Sequence, residues 1–212
     1  MHSVIDSILY CAAVTPHQPH NEMKPRQTPS QTVGPFFRPA LVRSGNESLV
    51  TSRSRGERIT IEGLVLDGEA APVSDAMIEL WQANADGRYD HPDDAQEKLI
   101  DPEFHGFGRT ATDEAGRFHF YTIKPGSVPG PGNLLQAPHI SVSIFARGLL
   151  KRLATRIYFP GEPLNATDAV LNTVAPGRRS TLVARIENAE RPDMLRFDIV
   201  LQGENETVFF NV

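Results

Sequence analysis

The sequence predicts an all-β fold: an antiparallel β-sandwich with long loops and little helix. Three observations carry this. The 212 residues include 17 prolines and 16 glycines, too many breaks for long helices but well suited to short strands joined by turns. About eight short segments alternate apolar and polar residues at the spacing of a sandwich. No stretch has the period of a long amphipathic helix, and no internal repeat is visible.

In chain order, residues 1–27 show no strand or helix period. They are expected to be a disordered tail or a misassigned start, with Met23 as the starting residue. Residues 28–57 read as an extended N-terminal arm and linker. Within them Thr28 to Phe37, TPSQTVGPFF, is held extended by two prolines and anchored by two phenylalanines. Thr32, Gly34 and Pro35 set a hydroxyl beside backbone that a ligand can approach closely. Residues 40–57, rich in Arg and Ser, read as linker or loop.

Residues 58–212 are the predicted sandwich. Arg58–Leu66 alternates and ends at Asp67-Gly68, a hairpin-type turn. Asp75–Ala83 is the next strand and carries Trp81, the only tryptophan; a Gly-containing turn over Asn84–Arg88 leads to Tyr89. Residues 90–106 read as a long acidic loop, solvated from Asp90 to Asp101. Further strands are expected at Arg117–Ile123, His139–Arg147, Ala154–Phe159, Thr181–Ile186, Met194–Leu201 and Thr207–Val212. A Pro/Gly loop, Lys124 to Pro138, precedes His139.

Composition bounds the function. Net charge is −5, with seven Lys/Arg against four Asp/Glu in residues 1–58 and −8 on the remainder, which argues against nucleic-acid or anionic-membrane binding. The single cysteine, Cys11, excludes an intrachain disulfide and a Cys-based metal cage, and fits a reducing, cytoplasmic compartment. No apolar run reaches membrane-span length, and Val4 to Val14 lacks a preceding basic region, so no signal peptide is expected. The sequence has no Gly-x-Ser-x-Gly, no phosphate-binding glycine loop and no His-Glu-x-x-His. Taken alone, His119 and His139 read as hydrogen-bonded structural residues, and Trp81 and Tyr121 as core or interface packing.

Longer motifs say more. ITIEGLVLDGEAAPVSDAMIELWQANADGRY, then GFGRTATDEAGRFHFYTIKPG, then APHISV occur in this order. The order and length of these segments resemble the intradiol ring-cleaving dioxygenases, over roughly Thr28 to Val212. That resemblance implies a β-sandwich carrying a non-haem ferric ion on two tyrosinates and two histidines, hard donors suited to Fe(III). The matching positions here are Tyr89, Val128, His139 and Ser141. Two of the four therefore lack the expected donor: Val128 has none, and Ser141 offers only a neutral hydroxyl. The resemblance thus implies no metal on this chain and leaves Tyr89 as a packed relic hydrogen-bonded near His139.

One branch of the family, the protocatechuate 3,4-dioxygenases, pairs an iron-bearing β chain with a homologous α chain that has lost the metal. TPSQTVGPFF, APHISVSIFARG and QGENETVFF resemble the α type. Resemblance to that branch implies a homologous β-subunit partner holding Fe(III), with a catechol substrate and O2 meeting at the interface. It also implies substrate-pocket roles for Thr32, Gly34, Pro35 and Arg147, while Phe36 stands where some relatives have tyrosine. Along an extended strand Arg147 lies about 26 Å from His139, so it would serve a neighbour's site rather than its own. A surface ion pair is the competing reading for Arg147. A structural or binding sandwich without a catalytic partner, and a lone enzyme recruiting metal through Tyr89 and His139, are the competing readings for the chain.

Overall fold

The computed structural model describes residues 28–34, 36–132 and 134–211. The expectations for residues 1–27, for a start at Met23 and for Pro35 lie outside these. The described strands are β1 (Arg58–Leu66), β2 (Met77–Trp81), β3 (Phe107–Ala111), β4 (Arg117–Ile123), β5 (Val128–Pro129) and β6 (Leu135–Gln136). They continue with β7 (His139–Phe145), β8 (Leu153–Tyr158), β9 (Arg185–Ile186), β10 (Met194–Arg196) and β11 (Ile199–Val200). Among the described residues helix is limited to α1 (Phe37–Leu41) and three short 3-10 turns at Pro163–Ala166, Leu171–Thr173 and Pro176–Leu182.

Two sheets face each other. In the first, β1 is central, with β4 antiparallel on one side and β10 and β11 on the other, β9 flanking β10. The second runs β3-β2-β7-β8, antiparallel throughout. Inward-facing Ile59, Ile61 and Val65 of β1 and Phe118 and Phe120 of β4 meet Ile78 and Leu80 of β2, Ile140, Val142 and Ile144 of β7, and Ile157 of β8. Each such side chain contributes about 1.5–3 kcal/mol by leaving water. The period of two hides these residues and turns Glu79, Trp81, Ser141 and Ser143 outward. A second, smaller cluster gathers Ala137, Tyr158, Leu171, Val174 and Leu182. Buried Asp168 organises it, accepting from the Ala137 N–H at 2.8 Å, the Tyr158 hydroxyl at 3.0 Å, and the Val170 and Leu171 N–H groups.

The sandwich stands, with local corrections. β10 and β11 run parallel to β1, and the expected strand Met194–Leu201 breaks between them. At the break the Asp198 carboxylate replaces a ladder carbonyl, accepting from the Leu64 N–H at 2.9 Å. Thr181–Ile186 is not one strand: Pro176 opens a 3-10 turn through Leu182, Val183 makes a single bridge to Tyr158, and Arg185–Ile186 pairs with β10. Burying Leu182 against Leu171 and Tyr158 outweighs the β-propensity of Thr181 and Val183. Near the C-terminus, among the described residues, only Phe210 bridges to Ala154, because Thr207 turns its hydroxyl and N–H back onto Val200.

β3 lies in a glycine-flanked stretch without a strand signal. Gly108 is needed there, since a Cβ would sit 2.3 Å from the Leu49 side chain. The strand after Pro138 ends at Phe145, so Arg147 lies in the following turn. The turn after β1 places Ala70, not Gly68, in the left-handed region, at φ 60. Beyond the end of α1 at Leu41, residues 42–57 are irregular, as a linker would be, but are tied to the sandwich. Ser48 bridges Tyr121, Val50 bridges Phe104, and Leu49 is buried in the core. Tyr121 itself is 46% exposed, so it is not a core residue. No helix among the described residues is long and apolar enough to cross a membrane.

Gly63 fixes the distance between β1 and the β10–β11 break. A Cβ there would lie 1.8 Å from the Phe197 carbonyl oxygen and 2.8 Å from the Phe118 ring. Gly63→Ala is expected to destabilise the fold by roughly 3 kcal/mol, read as a lower urea midpoint at unchanged slope. An unchanged midpoint would mean that the two backbones are not held this close.

Candidate functional site

The row Trp81–Ser141–Arg156, set by the β2–β7–β8 register, forms the base of a pocket on the outer face of the second sheet. The other walls come from loops. Asn84 builds the turn that delivers Tyr89: its Oδ1 accepts from the Asp86 and Arg88 N–H groups at 3.0 Å, and its amide donates to the Leu99 carbonyl at 2.8 Å. Gly87, at φ 78, lies so close to the Pro/Gly loop that a Cβ would be 2.0 Å from the Ser127 carbonyl oxygen. Lys98 joins the same two segments, donating to the Gly87 and Ser127 carbonyls. Val128 and Pro129 of β5 and Gln136 of β6 complete the wall, and His139 begins β7.

The structure therefore brings Tyr89, Val128, His139 and Ser141 into one pocket of about 790 Å³. The ring of Tyr89 stacks on Trp81 at 5.8 Å and 12°, and that stack, rather than a hydroxyl hydrogen bond to His139, is what holds it. Its backbone N–H donates to the Asp94 carboxylate at 2.8 Å. The acidic loop is thus less solvated than its composition suggests. Asp94 also takes the Gln96 N–H, and Asp101 is buried, accepting from the Arg55 and Glu103 N–H groups.

Arg156 is the residue that sequence reasoning missed. It stands directly opposite Ser141 and donates from Nη1 to the Gln136 Oε1 at 2.8 Å. A signal was available: it is the one charged residue in Ala154–Phe159, on the alternate that does not face the core. His139 is 4% exposed and donates from Nδ1 to the Ala137 carbonyl at 2.8 Å, which leaves Nε2 as the lone-pair nitrogen. Burial, with the Arg156 cation adding, lowers its pKa from 6.5 to about 4. Burial raises the Tyr89 phenol above its usual range, the Arg156 cation opposing and Asp94 adding.

This donor set does not fit a ferric ion. The Tyr89 environment disfavours the phenolate, Val128 has no donor atom, and the Ser141 hydroxyl is neutral. His139 supplies one imidazole, and a guanidinium carries fixed positive charge in the same pocket. Among the described residues no group of three or more His, Cys, Asp or Glu is placed to hold a metal.

The remaining sequence candidates lie elsewhere. Thr32 and Arg147 come together at the opposite end of β7, where the Gly148 N–H donates to the Thr32 hydroxyl at 2.8 Å. Gly34 is exposed on the same arm. Arg147 is 67% exposed and ion-paired with Asp75.

The shifted His139 sets a pH dependence. The unfolded chain takes this proton near 6.5 and the folded chain only near 4, so below 6.5 the unfolded state binds more protons and stability falls as pH drops toward 4. This share amounts to about 3 kcal/mol over the window. Denaturation midpoints followed from pH 7.5 to 4.5 should show that loss, and His139→Gln should flatten it. An equal slope in both proteins would contradict a buried, neutral His139.

Known proteins resemble this chain over most of its length. The dioxygenase family profile matches residues 33–203. The protocatechuate 3,4-dioxygenase alpha chain of Pseudomonas putida is 41% identical over 198 residues, 87% of this chain and 96% of that protein. The corresponding beta chain of Burkholderia cepacia is 42% identical over 158 residues, 72% of this chain and 67% of that one. Among solved structures, the dioxygenase domain of a dioxygenase–carbohydrate-binding fusion from Streptomyces sp. SirexAA-E superposes with a TM-score of 0.57 at 31% identity. It covers 84% of this chain and 100% of that domain. With the sandwich, the motif order and a near end-to-end match to a named relative, the chain belongs to the intradiol ring-cleaving dioxygenase family.

Proposed function

We propose that this chain is the metal-free α-type subunit of a cytoplasmic protocatechuate 3,4-dioxygenase, joined to a homologous β subunit that carries Fe(III). The assembly cleaves protocatechuate with O2 to 3-carboxy-cis,cis-muconate. The observation that carries this reading is the dismantled donor set, Val128 and Ser141 in ligand positions with Arg156 between the walls, on a fold otherwise intact. The α-chain relative matches nearly end to end, whereas the β-chain match covers about two thirds of that protein.

In this reading the iron chemistry belongs to the partner, and this chain supplies scaffold, pocket wall and charge. Thr32, Gly34, Pro35 and Arg147 form the part of the substrate pocket contributed at the subunit interface. The placement of Thr32 and Arg147 supports this: the arm is stitched to the β7–β8 turn through Thr32, and the same segments expose Phe36 (79%) and Leu150. Exposed apolar side chains of this size suit an interface. Arg147 would lower the cost of bringing a substrate carboxylate into a partly desolvated cleft. Its pair with Asp75 is no obstacle, because an exposed ion pair is worth about 1 kcal/mol or less.

Co-expression with a homologous chain bearing the full Tyr/Tyr/His/His set should yield a hetero-oligomer whose iron resides in that partner. The isolated chain should contain no stoichiometric iron and no tyrosinate charge-transfer colour. Iron in the isolated chain would support the lone-enzyme reading; failure to pair would support a structural or binding sandwich. In the assembled complex Arg147→Ala should lower kcat/KM by roughly ten- to a hundredfold at unchanged subunit stoichiometry, as expected for losing a charge-assisted hydrogen bond. Unchanged kcat and KM would remove the role assigned to Arg147.

A further inference from the structure

The pocket that no longer suits a metal has not collapsed. Its about 790 Å³ falls in the range of small-molecule sites, and its walls are of two kinds. One is flat and aromatic: Trp81 and Tyr89 stacked, with His91 edge-on to Trp81 at 6.4 Å, facing Val128 and Pro129. The other is polar, with Ser141 and Arg156 on the adjacent strands β7 and β8 and Gln136 on β6.

Arg156 is half-buried, and its guanidinium has more donors than the protein groups around it accept. Nη1 reaches Gln136 at 2.8 Å and the Tyr158 hydroxyl at 3.5 Å. Among the described residues no carboxylate lies within ion-pair distance of it. Asp168, the buried carboxylate behind Tyr158, is committed to that hydroxyl and to three backbone N–H groups. At the rim, Asp94 is occupied by the Tyr89 and Gln96 N–H groups, and Asp93 is 92% exposed. The rim therefore repels polyanions, while the base lacks one negative charge.

We propose that this pocket binds a planar aromatic monocarboxylate without a metal, its carboxylate on Arg156 and its ring along the Trp81–Tyr89 wall. A fork-shaped guanidinium matches a carboxylate in two parallel hydrogen bonds, and an aromatic wall favours a flat ring over an aliphatic chain. A ring hydroxyl has neutral partners in Ser141 and in Nε2 of His139. Nothing in the site activates oxygen, so the ligand is held and not turned over.

The test uses the full chain alone and is independent of any partner, so it can fail while the two-chain reading stands, and the reverse. Trp81 is the only tryptophan, so its emission reports on this wall directly. Titration with 4-hydroxybenzoate should quench it saturably, with calorimetry as the second readout. Phenol, which lacks the carboxylate, should bind roughly tenfold or more weakly. Arg156→Met should erase that preference, and Arg156→Lys should keep part of it. No saturable response, equal affinity for phenol, or undiminished 4-hydroxybenzoate binding by folded Arg156→Met would each overturn the proposal. If Arg156→Met does not fold, the comparison of 4-hydroxybenzoate with phenol on the unaltered chain decides it.

Discussion

The register of β7 is the constraint on which both the core and the pocket depend. Its alternate residues Ile140, Val142 and Ile144 are buried between the sheets, which leaves His139, Ser141 and Ser143 on the other alternate. Pairing to β2 and β8 then sets Ser141 between Trp81 and Arg156. A slip of one residue would expose three core aliphatics and remove Ser141 and His139 from the pocket together. The hydrophobic effect, acting on residues with no chemistry of their own, thereby fixes the geometry of those that have some.

Electrostatics then decides what such a pocket can hold. A guanidinium beside a multivalent cation raises the energy of both where water screens least. Burial, with Arg156 adding, keeps His139 neutral, and burial keeps Tyr89 protonated against the pull of Arg156; the protonated phenol is the state that a metal site would have to undo. The other end of β7 is different in kind. There Arg147 is exposed, held by one surface ion pair and free to exchange it, while the Thr32 arm lies across the turn. One end is walled and short of an anion; the other is open and ready for contact.

The period-two pattern made β1 and β4 legible to the residue, because a strand with one buried face must alternate. It failed where side chains compete with the ladder. Asp198 takes a backbone N–H and splits β10 from β11, and Thr207 turns its hydroxyl onto Val200. β3 was hidden by Gly106 and Gly108, glycines that weaken a strand on paper. Here they admit Gln82 backbone and the Leu49 side chain closer than any Cβ would allow. The linker reading of residues 40–57 missed Leu49 for the complementary reason: burial is decided by what lies opposite, and opposite here is a segment some sixty residues away.

The sequence by itself determined the β-sandwich and the family. Residue identity is enough to say that Val128 cannot ligate and that Ser141 is a poor substitute for imidazole. Only the tertiary structure decided that the four positions still converge, that the space between them stays open, and that a positive charge from β8 lies among them. Arg156 is fifteen residues beyond Ser141 in the chain and directly across from it in the sheet. Strand pairing is a long-range choice made by the total burial of both sheets, so no local pattern around Ser141 could announce its neighbour.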